Sequence, residues 1–161
     1  MTVQQVDQNK PRHGSLRLSV ADRELLAQPL TFPFSKKVIR NRFCKAALSE
    51  YLALPEGSLD QPHLERFTRL YEAWAEGGSG LVLTGNIMVD RDMREGERNI
   101  VVTDERDLDM LKSWAESVQK HGSTIYAQLS HPGRQAHGCM TRHPVAPSAV
   151  QVTKSHPMLR F

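Results

Sequence analysis

One pattern occurs twice along this chain: a short apolar run, a loop, an amphipathic segment and a glycine lead to the next apolar run. The tripeptide Trp-Ala-Glu marks the pattern at residues 74–76 and again at residues 114–116, each time shortly before a glycine. Such alternation predicts βαβ units, whose right-handed crossovers make the strands parallel. The chain is therefore predicted to be an α/β protein whose sheet is covered by helices.

The first unit predicts a strand at residues 43–48 and a helix that begins after Asp60, with Pro62 in its first turn. Gly77 and Gly78 end this helix. Its predicted buried face consists of apolar residues at spacings of three to four: Leu64, Phe67, Leu70, Tyr71 and Trp74.

The second unit predicts a strand at residues 81–84, a charged and solvated loop at 90–98, and a helix with Thr103 as N-cap and Gly122 just past its end. The buried face of this helix is predicted to comprise Leu108, Leu111, Trp114, Ala115 and Val118. A third strand follows at residues 124–129. Ahead of both units, the runs 30–32 and 37–39 flank a turn and predict a small β-hairpin.

Two architectures contain such units. A doubly wound sheet usually carries a glycine-rich fingerprint after its first strand, and residues 49–51 read Ser-Glu-Tyr instead. We therefore predict a partial (β/α)8 TIM barrel, with its first three β/α units preceded by a short β-hairpin. Residues 1–29 are interpreted as a polar leader containing one helical turn near residues 21–27, and residues 30–161 as the N-terminal part of the barrel, since a full barrel takes about 250 residues.

The charge pattern excludes some classes of protein. The 21 basic and 18 acidic residues are scattered and give a net charge of +3, so no basic stripe for nucleic acid is expected. No apolar run approaches the length of a membrane span, and the first ten residues lack the apolar core of a secretory signal. Cys44 and Cys139 form no metal or redox motif, which favours a cytoplasmic protein.

In a barrel, functional residues gather where the strands end at their C-terminal side. The three predicted strands end at residues 47–49, 84–86 and 128–131, which bear hydroxyl, amide and glycine groups. Neutral donors and acceptors of this kind suit a planar heterocycle. The same residue types are also common in loops and caps, so the pattern alone leaves both interpretations open. No metal site is expected, because His131, His137 and Cys139 lack a suitably spaced fourth ligand.

Four segments, in order, resemble the old yellow enzyme family, also called NADH:flavin oxidoreductases. Residues 37–49 resemble its first-strand motif, 74–86 its second-strand entry, 127–135 its third-strand motif and 145–149 the segment that follows. The resemblance covers residues 30–150 and is closer to the NADH-oxidase-like branch of bacteria and fungi than to the founding yeast protein. It implies non-covalent FMN, reduced by NAD(P)H, with hydride passed to an activated alkene or another small-molecule acceptor.

The resemblance assigns the cofactor contacts to six residues: Ala47, Leu48, Ser49, Gly85, Asn86 and Gln128. Ala47 and Leu48 would contribute backbone contacts, and Ser49 would lie near the flavin O4 and N5. Gly85 or Asn86 would lie against the ring, and Gln128 would offer its amide to the pyrimidine edge. Two departures stand out, because the family usually has proline at the position of Ala47 and often a smaller residue at that of Asn86.

The family's substrate-binding His pair or His/Asn pair, its proton-donating Tyr and its phosphate-binding loops have no counterpart in this sequence. We therefore expect a truncated N-terminal fragment of an FMN-dependent oxidoreductase, inactive in isolation and without catalytic residues of its own. The first alternative is a non-catalytic module or pseudoenzyme, completed by a partner or by self-association through the open barrel edge. The second is an unrelated barrel acting on sugars or phosphates.

Overall fold

The computed structural model describes residues 19–150. Helix α1 (Val20–Ala27) begins with a capping box, in which Ser19 and Asp22 exchange hydrogen bonds. Strands β1 (Leu30–Thr31) and β2 (Val38–Ile39) pair in antiparallel orientation, which confirms the predicted hairpin. Most of the leader predicted at residues 1–29, and the end of the chain after residue 150, lie outside the described residues.

The main sheet is parallel and is centred on strand β4 (Leu81–Met88). On one side of β4, strand β3 (Cys44–Lys45) pairs with its beginning and strand β5 (Ile100–Val101) with its end. Strand β6 (Thr124–Ser130) lies along its other side. The predicted parallel order is confirmed, and within residues 19–150 the sheet is open rather than a closed barrel.

Two strand predictions need correction. The first strand was predicted at residues 43–48, but only Cys44–Lys45 pairs with β4. After Lys45 the chain leaves the ladder, and the backbone N–H of Gly85 is bound by the side chain of Glu50 at 2.9 Å. The second strand extends beyond its predicted end, and β5 was missed because two residues carry no detectable alternation.

Helix α2 (Gln61–Glu76) begins as predicted, because the Asp60 side chain accepts a hydrogen bond from the His63 backbone at 2.9 Å. Its core face is confirmed, with Leu64, Phe67 and Tyr71 buried. Leu70 and Trp74 are partly buried against the same core. Ala75 belongs to the buried face as well.

Helix α3 (Leu108–Gln119) starts later than predicted. Asp104, rather than Thr103, caps a 3-10 turn at Glu105–Asp107, and the α-helix follows that turn. Leu108 therefore lies in the first helical turn and is 53% exposed, contrary to the predicted stripe. Trp114 and Val118 are buried as predicted.

An aromatic cluster joins the two helices. The ring centroids of Trp114 lie 5.3 Å from Phe67 and 4.8 Å from Tyr71. All three side chains are at most 2% exposed. Because buried aromatic pairs contribute beyond the apolar area they remove from water, this cluster stabilises the packing of α2 against α3.

Arg40 stabilises the end of the sheet that lies opposite the C-terminal ends of the strands. Its guanidinium donates to the carbonyl oxygens of His121 at 2.6 Å, Ala75 at 2.8 Å and Ser79 at 3.2 Å. These carbonyls lie at or just beyond the C-terminal ends of α2 and α3, where backbone acceptors lack partners within the helix. No helix within residues 19–150 is long and apolar enough to cross a membrane.

Candidate functional site

A β-bulge brings two of the predicted site residues together. Strands β4 and β6 pair Leu83 with Tyr126 and then Asn86 with Gln128, so two residues of β4 oppose one residue of β6. The Gln128 amide donates to Oδ1 of Asn86 at 2.7 Å. Because strand side chains alternate between faces, the extra residue turns Asn86 onto the face that carries Gln128.

Ser49 and a loop carboxylate complete the arrangement. Ser49 Oγ donates to Glu95 Oε2 at 3.3 Å, and the Asn86 amide donates to the same oxygen. We name the group Ser49, Glu95, Asn86 and Gln128 the polar ledge. Three side chains that the sequence assigned to one site, from three separate segments, therefore lie in one hydrogen-bonded chain.

The remaining predicted site residues lie beside this group. Leu48 is 67% exposed, and Ala47 is exposed next to it. Gly85 is buried, and a Cβ built on it would clash with the Leu48 carbonyl and the Glu50 carboxylate. The space beside Gly85 is thus filled by protein atoms.

Sequence reasoning missed Glu95, because residues 90–98 were interpreted as a solvated loop. The loop is instead packed on the protein: Met93 is 4% exposed, and Arg94 donates to the Pro55 carbonyl at 2.5 Å. Asn99 is buried and accepts a hydrogen bond from the Gly96 backbone at 2.9 Å. An apolar Met within a charged run was the one sequence signal of this packing.

A second layer lies beneath the polar ledge. Glu50 Oε1 accepts from the Gly85 backbone at 2.9 Å and from the Tyr71 hydroxyl. Burial, and next the hydrogen bond to Glu50, raise the pKa of Tyr71. The phenol therefore stays protonated and acts as a donor to the carboxylate. Sequence reasoning missed Glu50, because its hydrogen-bond partners Tyr71 and Gly85 lie 21 and 35 positions away in the sequence.

The ammonium group of Lys45 interacts electrostatically with the Glu50 carboxylate. Lys45 Nζ donates to the Leu83 carbonyl at 2.9 Å and lies 4.3 Å from the ring centroid of Trp74. Burial lowers the pKa of Lys45, while the nearby charge of Glu50 acts in the opposite direction. The Lys45 charge, which the face of the Trp74 ring stabilises, reduces the cost of a carboxylate in this layer.

The polar ledge offers one hydroxyl and two amides, which suit a planar ligand with alternating donors and acceptors along its edge. Glu95 already shows that one acceptor atom can receive both the Ser49 hydroxyl and the Asn86 amide. Among the residues that the structure describes, no three His, Cys, Asp or Glu side chains converge to hold a metal ion.

Comparisons with known proteins agree with this fold. Residues 26–158 match the NADH:flavin oxidoreductase / NADH oxidase family. An NADH-dependent flavin oxidoreductase of Aspergillus parasiticus is 32% identical over 136 residues, which are 78% of this chain and 30% of that protein. Another, from Talaromyces variabilis, is 40% identical over 101 residues, covering 60% of this chain and 23% of that protein. The chain thus spans less than a third of either relative.

A solved structure gives the same result for the fold. The old yellow enzyme from Trypanosoma cruzi superposes with a TM-score of 0.69 at 22% identity, covering 83% of this chain and 37% of that chain. Old yellow enzymes are TIM barrels, so the predicted partial barrel is confirmed. The four parallel strands described here correspond to part of such a barrel.

Proposed function

The chain belongs to the NADH:flavin oxidoreductase / NADH oxidase family, and we propose that Ser49, Asn86 and Gln128 hold the ring edge of FMN. The observation that carries this proposal is the Asn86–Gln128 hydrogen bond at the β4–β6 bulge, with Ser49 joined through Glu95. These groups lie towards the C-terminal ends of parallel strands, where barrel enzymes bind their ligands.

The donor set of the polar ledge fits a flavin. The ring presents carbonyl oxygens and N5 as acceptors and N3–H as a donor, and the Asn86 and Gln128 amides each offer both kinds of group. A flavin acceptor atom can take the place of Glu95 Oε2 as partner of Ser49 and Asn86. Glu95 is the one charged member of the ledge, so we propose that it gives up these donors when the ring binds.

FMN would supply hydride transfer from NADH or NADPH to an activated alkene or another small-molecule acceptor. The part proposed for this chain is to orient the ring edge and to tune its electronics by hydrogen bonding. Ser49 would donate near O4 and N5, and Gln128 would contact the pyrimidine edge. The backbone of Ala47 and Leu48 would border the ring, with Gly85 behind Asn86.

Titration of FMN into the chain, followed by quenching of flavin fluorescence, tests this proposal. Saturable binding is expected, and Asn86→Ala or Gln128→Ala should weaken it by about tenfold each, the effect of one lost hydrogen bond to a desolvated ring. Gln119→Ala removes the same amide from the exposed surface of α3 and should leave the affinity unchanged. Absence of saturable binding by the parent chain would contradict the proposal.

Glu95→Gln is a further variant to be tested in the same FMN titration. The variant keeps an oxygen acceptor but loses the charge that competes for Ser49 and Asn86, so FMN should bind about threefold more tightly. Weaker binding by this variant would mean that the carboxylate supports the ring rather than competing with it.

We also propose self-association through the open sheet. Within residues 19–150, β3 and β6 each pair only with β4, and Leu129 on β6 is 68% exposed. Sedimentation velocity should show association that grows with concentration and is weakened by Leu129→Asp. Val20→Asp, at a 61% exposed position on α1, serves as the control. A monomer at all concentrations would refute this proposal.

We propose a cytoplasmic location, because Cys44 and Cys139 are both free and exposed, as is common in a reducing compartment. Recovery of the protein in a secreted fraction after cell fractionation would contradict this location.

A further inference from the structure

The layer below the polar ledge contains a partly buried carboxylate to which the proposed function gives no role. Glu50 receives the Gly85 backbone N–H at 2.9 Å and the Tyr71 hydroxyl. The Gly85 N–H also donates to the Tyr71 hydroxyl oxygen, at 3.0 Å. Three groups from a loop, a helix and a strand thus meet at one backbone amide.

That amide lies in the β4–β6 bulge. Between the pairs Leu83–Tyr126 and Asn86–Gln128, the strand β4 has one residue more than β6. An extra residue interrupts the ladder, and a buried backbone N–H left without an acceptor is costly. The Glu50 carboxylate supplies a charged acceptor for Gly85 here, and the Tyr71 hydroxyl oxygen shares the same N–H.

The bulge determines which way Asn86 faces. If β4 and β6 continued in the register of Leu83 and Tyr126, Asn86 would pair with Leu129 and lie on the helix-covered face. The extra residue shifts it by one position, so that it pairs with Gln128 instead. Without the bulge, the two amides of the polar ledge would lie on opposite faces of the sheet.

We propose that Glu50 is a positioning residue for the flavin site: its carboxylate holds the bulge at Gly85 and thereby keeps Asn86 beside Gln128. This inference rests on the proposed function. The absence of a side chain on Gly85 is part of the same arrangement, since the carboxyl carbon of Glu50 lies 2.8 Å from where a Cβ would be. Tyr71 orients the carboxylate from the helix side.

FMN titration of three variants tests the role of Glu50. Glu50→Ala should weaken FMN binding by about tenfold, because the Gly85 N–H loses its charged acceptor and keeps only the Tyr71 hydroxyl, which no longer has the carboxylate that orients it. Glu50→Gln keeps an oxygen for Gly85 and should stay within about threefold of the parent. Glu97→Ala removes a carboxylate from an exposed loop position and should have no effect. If Glu50→Ala does not fold, Glu50→Asp, whose carboxylate is too short to reach Gly85, should weaken binding in its place.

A measurement on the FMN-free protein separates this inference from the proposed function. In NMR spectra of the parent, the side-chain amides of Asn86 and Gln128 should show a mutual nuclear Overhauser effect. That effect should persist in Glu50→Gln and vanish in Glu50→Ala or Glu50→Asp. The inference is overturned if the contact survives in Glu50→Ala or Glu50→Asp, or if Glu50→Ala binds FMN as tightly as the parent. If the parent does not bind FMN but the NMR pattern is as expected, only the proposed function is contradicted.

Discussion

Replacing Tyr71 with alanine should lower the free energy of unfolding by about 3–5 kcal/mol, as expected when a buried aromatic side chain is removed from a packed core. Tyr71 is 0% exposed and packs edge-on against Trp74 and Trp114, with ring centroids at 4.9 and 4.8 Å. The substitution also removes a donor from the Glu50 carboxylate, which leaves a partly buried charge less well satisfied. Urea unfolding, followed by circular dichroism, measures the change.

The matched control for this experiment is Leu108→Ala on α3. Leu108 is 53% exposed, so its truncation removes little buried area and should cost under about 1 kcal/mol. Tyr71→Phe separates the hydroxyl from the ring and should cost about 1.5–3 kcal/mol, the value of one hydrogen bond to a charged group. If Tyr71→Ala lowers the free energy of unfolding no more than Leu108→Ala does, Tyr71 does not belong to the packed core.

Gly85→Ala should impair both stability and FMN binding. The added Cβ would clash with the Leu48 carbonyl and with the Glu50 carboxylate, whose carboxyl carbon lies 2.8 Å away. Since one of these neighbours is backbone, strand β4 or the loop at Leu48 must move, and overpacking of this kind costs about 1–3 kcal/mol. The same movement displaces Asn86, so FMN affinity should fall at least about tenfold, as for loss of one of its hydrogen bonds.

Gly138→Ala is the control for Gly85→Ala. Nothing lies within 4 Å of a Cβ built on Gly138, and its backbone does not require positive φ. This substitution should leave both unfolding and FMN titrations unchanged. Equal behaviour of the two alanine variants would show that the space beside Gly85 is not closed by Glu50 and Leu48.

The helices could be predicted because their information is local. Asp60 and the stripe from Leu64 to Trp74 lie within one stretch of sequence, and the structure confirms both. The start of α3 was missed because Asp104 and Thr103 are both good capping residues, and only the 3-10 turn at Glu105–Asp107 distinguishes them.

The polar ledge was predicted only in part, because its contacts are long-range. Ser49, Asn86 and Gln128 each follow an apolar run, so strand order alone brings them to one end of the sheet. Glu95 and Glu50 meet partners that lie 46 and 35 positions away in sequence, and no periodicity indicates such pairs. The bulge could not be predicted either, because it depends on the register between two strands and not on either strand alone.

NMR spectra of the isotope-labelled chain during an FMN titration would test whether the polar ledge holds the flavin ring. The side-chain amide signals of Asn86 and Gln128, and the backbone amide of Gly85, should shift together along one saturation curve. The backbone amide of Gly122, beside Arg40 at the other end of the sheet, should stay in place. Shifts confined to residues remote from the ledge, or none at saturating FMN, would contradict the assignment.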